Sequence, residues 1–125
     1  HFNDTLPPGS VLVWLKRYDD GFGSFLSDAD LAWMKGGCGV YCKRDLSLQG
    51  VDRVHPTEKP VALMRWILEK WSKPGDLVLD PYMGSGPVAR ACLDLGRRYI
   101  GIELEEKYCE IAVKRLQQQV LPLTA

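Results

Sequence analysis

Apolar positions along the chain follow two periods, and the change from one to the other divides it. Val11-Leu12-Val13-Trp14-Leu15 is an unbroken apolar run whose length and β-branched content predict a buried strand. The turn Pro7-Pro8-Gly9 precedes it, and Tyr18 to Ser24, with Gly21 and Gly23, reads as a loop. Ser27-Asp28-Ala29-Asp30 suits either a helix cap or the approach to a strand, and Leu31-Ala32-Trp33-Met34 favours the strand. Gly36-Gly37-Cys38-Gly39 breaks that pattern ahead of a short strand, Val40-Tyr41-Cys42, and Lys43 to Val54 reads as an irregular polar loop.

Helical spacing takes over from Lys59. Pro60 suits a helix start, and Val61, Leu63, Met64, Ile67, Leu68 and Trp71 recur with the helical period. Lys73-Pro74-Gly75-Asp76 turns the chain into a short buried strand, Leu77-Val78-Leu79, that runs into Asp80. The turn Gly84-Ser85-Gly86 leads to a helix from Pro87 to Leu95, stopped by Gly96. Arg98-Tyr99-Ile100-Gly101-Ile102 predicts a strand ending at Glu103. A last amphipathic helix covers about Lys107 to Val120, with Tyr108, Ile111, Ala112, Arg115 and Leu116 along one side. Strand, helix, strand, helix in that order predicts an α/β fold on a parallel sheet.

Length and charge narrow the class. The 125 residues make one domain at most, with 46% hydrophobic and 26% charged residues and zero formal net charge. That balance carries no global electrostatic signal for nucleic acid. The basic clusters Lys16-Arg17, Lys43-Arg44 with Arg53, and Arg97-Arg98 read equally well as solvated surface. No apolar run approaches the roughly 20 residues of a membrane span and no signal segment opens the chain, so the expectation is a cytoplasmic protein without a membrane partner. The start at His1 reads as mid-sequence. Among the four cysteines, Cys92 and Cys109 fall on apolar helix faces. Cys38 and Cys42, with His55 near, form a single C-x3-C without a second pair, which falls short of a zinc site, and no metal is expected.

The glycine turn carries the candidate chemistry. Ligands of parallel sheets bind beyond the carboxyl ends of the strands, where this turn lies. Gly84 and Gly86 allow close backbone approach, and the following helix aims its amino end at the turn. Asp80 is placed to meet a cationic group, and Glu103, closing the next strand, to accept both hydroxyls of a ribose. Gly84 to Ala89 also fits G-x-G-x-x-A, so the turn itself leaves a dinucleotide and S-adenosylmethionine both open. Asp80 leans to the latter, because a carboxylate there opposes a pyrophosphate.

His55-Pro56-Thr57-Glu58-Lys59-Pro60, then a helix, then Asp80-Pro81-Tyr82-Met83-Gly84-Ser85-Gly86 closely resembles the amino-methylating DNA methyltransferases, which act on adenine N6 or cytosine N4. The family pattern pairs His-Pro-Thr-x-Lys-Pro with Asp-Pro-Phe-x-Gly-Ser-Gly. The likeness is strong from Val54 to about Gln118 and weaker at Pro8 to Trp14. With the cofactor half last, the chain resembles the carboxyl-terminal part of the beta class. The resemblance implies a Rossmann-like S-adenosylmethionine-dependent methyltransferase fold, incomplete at its front. Residues 1–125 would form one partial domain, 1–54 carrying strands and a loop and 55–125 the cofactor half.

By the same resemblance, Asp80, Pro81, Tyr82, Gly84, Ser85 and Gly86 would hold the methionine end of the cofactor and shape its pocket. Glu103 would take the ribose, with Leu104 near the adenine, and Thr57, Lys59 and Pro60 would close the site from the preceding helix. Thr57 also suits a helix N-cap. Two departures stand out. Pro87 replaces the family's usual Thr. The family's Asp/Asn/Ser-Pro-Pro-aromatic tetrapeptide, which holds the flipped base and its amine, is missing, and Leu6-Pro7-Pro8-Gly9 has neither its polar nor its aromatic member. The resemblance therefore implies a site-specific DNA methyltransferase of a restriction-modification type whose chain here binds cofactor without methylating, with no catalytic residue of its own. Double-stranded DNA would be met through the complete enzyme, and self-association or a partner chain carrying the tetrapeptide is the expected assembly. A dinucleotide-binding oxidoreductase fragment and a non-catalytic DNA-binding or assembly remnant are the alternative readings.

Overall fold

The computed structural model describes residues 6–23, 27–48 and 58–118. They fall into two compact units, His1–Gln49 and Gly50–Ala125.

The first unit is built on β1 (Gly9–Leu15). Its side chains alternate, with Ser10, Leu12 and Trp14 buried and the intervening residues half-buried. β2 (Ala29–Arg44) reverses at Gly36 and Gly37, whose φ values of 85° and 67° suit only glycine. Its two arms therefore flank β1. Met34 and Ala29 lie opposite Ser10 and Leu15 in an antiparallel arm, while Val40 and Arg44 lie opposite Val11 and Leu15 in a parallel one. The Ser10 hydroxyl donates to the Gly36 carbonyl at 3.0 Å and accepts from the Gly39 N–H at 3.2 Å, which satisfies the reversal from the inside. The buried Trp14 indole donates to the Asp45 carbonyl at 2.9 Å. Lys43 and Arg44, expected in a loop, extend the parallel arm.

The second unit runs α1 (Val61–Trp71), β3 (Leu77–Asp80), α2 (Pro87–Asp94), β4 (Arg98–Gly101) and α3 (Glu106–Gln117). β3 and β4 pair in parallel, with Val78 opposite Tyr99 and Asp80 opposite Gly101. Leu68, Ala91 and Cys92 form the core, and Val61, Met64, Val78, Val88, Leu95 and Tyr99 pack around them. Leu77 and Leu79 are 52% and 62% exposed, not buried as the apolar run predicts. Period 2 turns them to the face opposite Val78, which is the face that packs on the core. Ile100 and Ile102, on β4 and just beyond it, are exposed in the same way.

Pro60 occupies the N-cap position of α1, so the helix starts after it; Thr57, with His55 and Pro56, lies outside the described residues. Pro87 takes the first position of α2, where its missing N–H costs nothing. Arg97, grouped above with solvated basic surface, works inward. Its guanidinium donates to the Ser72 hydroxyl and carbonyl, both at 3.0 Å, and caps the last turn of α1. Among the described residues no helix is long and apolar enough to cross a membrane.

Candidate cofactor site

The site grows out of the carboxyl end of β3. Asp80 ends that strand, and its Oδ1 accepts the Tyr82 N–H at 3.1 Å, a local bond that starts the turn. Gly84 and Gly86 have φ values of 55° and 80°, so each takes a left-handed conformation. Gly86 is tied further. A Cβ there would lie 2.8 Å from the Cβ of Ala112, so the missing side chain lets α3 close on the start of α2. The Met83 N–H donates to the Ile102 carbonyl and the Ile102 N–H to the Asp80 carbonyl, both at 2.9 Å, which fastens the turn to the end of β4.

Glu103 follows that end. Its Oε2 accepts the Gly84 N–H at 2.8 Å and its Oε1 accepts the Glu105 N–H at 2.9 Å, so two backbone donors orient the carboxylate. Asp80 is braced on its other oxygen, where Oδ2 accepts the Tyr99 hydroxyl at 3.3 Å. Burial pushes the Tyr99 phenol well above its ordinary value, and the neighbouring Asp80 charge adds to the shift.

These groups border a cavity of about 440 Å³. Among the described residues, Asp80 and Glu103 bring carboxylates to it, Glu58 borders it, Lys59 is the cationic residue of the lining, and Met64, Met83, Pro87 and Val88 give apolar surface. Tyr82, Gly84 and Ser85 also line it. A lining that combines carboxylates with apolar side chains suits a ligand with an amine and hydroxyls to donate and a less polar body to bury.

Of the residues singled out in the sequence, Lys59, Asp80, Tyr82, Gly84, Ser85 and Glu103 meet around this cavity. Pro60 and Gly86 are buried and outside its lining, and Pro81 is exposed. Leu104, 94% exposed, is not part of the described lining, and Thr57 lies outside the described residues. Glu58, Met64, Met83, Pro87 and Val88 also border the cavity, outside that group. Met64 and Val88 were readable as apolar helix positions, but apolar periodicity does not say which of them borders a cavity. Glu58 had no signal, since it stands at the variable position of its motif.

With strand, turn, helix and cavity in place, the chain belongs to the DNA methylase family, whose model matches residues 25–114. It is 46% identical over 66 residues to the Type II methyltransferase M.HinfI of Haemophilus influenzae, which is 53% of this chain and 18% of that protein. It is 49% identical over 65 residues to the putative methylase YubD of Escherichia coli strain K12, covering 52% of this chain and 29% of that one. Among solved structures, the M1.HpyAVI–SAM complex superposes with a TM-score of 0.65 and 29% identity over 86% of this chain and 61% of its own. PvuII DNA methyltransferase, described as cytosine-N4-specific, shares the fold at a TM-score of 0.66 and 14% identity, over 90% of this chain and 52% of that one. The fold is thus the α/β, Rossmann-like methyltransferase type. The chain spans less than a third of the length of either curated relative.

Proposed function

We propose that this chain is the cofactor-binding part of an S-adenosylmethionine-dependent DNA methyltransferase acting on adenine N6 or cytosine N4. The observation that carries the reading is the cavity at the end of β3, where Asp80 and Glu103 stand on either side of a glycine turn. The residues fit the cofactor. Asp80 suits its ammonium, Glu103 its ribose hydroxyls, and Met64, Met83 and Val88 its less polar body, while Leu104, Pro60, Lys59 and Thr57 would border the remainder.

The bound cofactor would supply an electrophilic methyl group. This chain's own residues bind and orient it. Backbone donors from Gly84 and Glu105 hold Glu103 as an acceptor, and the Tyr99 hydroxyl holds Asp80 toward the cavity. Neither carboxylate has to reorganise on binding, which lowers the cost of association.

Base capture is a separate task, and the Asp/Asn/Ser-Pro-Pro-aromatic tetrapeptide that performs it in the family does not occur in these residues. The chain alone therefore binds cofactor and transfers no methyl group. Transfer needs a partner segment or chain that carries the tetrapeptide, acting on double-stranded DNA in the cytoplasm.

Two assays test this. Calorimetric titration is expected to show binding of S-adenosylhomocysteine and none of NAD; the reverse order would move the chain to the dinucleotide-binding class. A radiolabel transfer assay on unmethylated DNA is expected to show no incorporation by the isolated chain, and robust incorporation would contradict the division of labour.

A further inference from the structure

Glu58 is a carboxylate in the wrong place for a surface residue. It is 7% exposed and lies in the segment just ahead of α1, beside Lys59, and both border the cavity. A charge so buried is costly unless it is paired. Its Oε1 accepts from Arg115 Nη2 at 2.5 Å and from the Ser85 hydroxyl at 3.1 Å. Arg115 Nη1 reaches the same hydroxyl at 3.4 Å, closing a triangle. The three residues belong to the segment before α1, the glycine turn and α3. Arg115 does not line the cavity, whereas its two partners do.

We propose that Arg115 is a positioning residue for the cofactor site, holding Glu58, and with it Lys59 and Ser85, in the arrangement that admits the cofactor. The inference rests on the reading of the cavity given above. Its physical basis is the direction in which Glu58 relaxes. Taking the guanidinium away from a buried carboxylate drives that group toward water, and the cavity it already borders is the adjacent solvent space. Once there, it would add a third carboxylate beside Asp80 and Glu103 and draw the Lys59 backbone with it. A second clamp keeps α3 in register for this contact, since Arg90 of α2 donates to the carbonyls of Arg115 at 3.3 Å and Gln118 at 2.6 Å.

The test is calorimetric titration of S-adenosylhomocysteine into the full chain and its Arg115→Met, Arg115→Lys and Glu58→Gln variants. Each is studied well below its own melting temperature. Arg115→Met is expected to bind about tenfold more weakly, equivalent to about 1.4 kcal/mol. Arg115→Lys, which restores the charge without the fork, should stay within about threefold of the parent. Adding Glu58→Gln to Arg115→Met should weaken binding no further, because the two act as a pair. An unchanged dissociation constant with a lowered melting temperature would mean that Arg115 only stabilises the fold, and would overturn the proposal. If Arg115→Met does not fold, Glu58→Gln decides in its place, with weakening of about fivefold expected and unchanged affinity contradicting the inference. Absence of binding by the unsubstituted chain would instead overturn the cofactor reading itself, and the positioning role with it.

Discussion

The Gly84 backbone N–H donates to Oε2 of Glu103 at 2.8 Å and so joins the turn after β3 to the residue that follows β4. One bond sets both the shape of the glycine turn and the orientation of the acid beside it.

Glu103→Gln is accordingly expected to act on ligand and turn together. The amide retains one acceptor oxygen and loses the charge, and hydrogen bonds to a charged group contribute about 1.5–3 kcal/mol. S-adenosylhomocysteine should bind roughly tenfold to a hundredfold more weakly by calorimetry. A dissociation constant within twofold of the parent would remove Glu103 from the site.

Gly86→Ala should destabilise the second unit by about 2–4 kcal/mol, since it adds both a left-handed penalty and an overpacked contact. The added methyl would meet Ala112 at 2.8 Å. Urea unfolding measures the loss, and Ala112→Gly in the same chain should recover part of it. No recovery would show that backbone conformation, not the close approach of α3, sets the requirement.

Tyr99 predicts the alkaline limb of stability. Its folded-state phenol titrates above the ordinary value of about 10, through burial first and the Asp80 charge second. The folded form thus keeps its proton where the unfolded chain has lost it. Stability is fully present below about pH 10 and falls as pH rises beyond it. Cys92, whose thiol burial also raises, adds to the same limb from the ordinary thiol range upward. Tyr99→Phe should flatten the pH dependence above about pH 10 while costing about 1 kcal/mol at neutral pH through the lost bond to Asp80. An alkaline limb as steep in Tyr99→Phe as in the parent would contradict the assignment.

What the sequence made legible was local chemistry. Gly84, Gly86 and Pro87 announce a turn and a helix start within a few residues, so β3, α2 and β4 were readable with their order. Lys59, Asp80, Ser85 and Glu103 were readable as a group because motif spacing sets their positions along the chain. Long-range relationships were not. The reversal of β2 around β1 depends on pairing partners, which a run of glycines does not name. Leu77 and Leu79 read as buried because a four-residue apolar strand carries no record of which face is covered. Glu58 stayed silent for the same reason, its meaning set by Arg115, 57 residues away and on another element.

Binding of a nucleoside cofactor in the cavity at the end of β3 is tested most directly by an amide NMR titration of the isotopically labelled chain with S-adenosylhomocysteine. Saturable shifts are expected at Lys59, Tyr82 to Gly86, Glu103 and Leu104, with α1 beyond Met64 little changed. Shifts confined to other surfaces, or no saturable shifts at millimolar ligand, would contradict it.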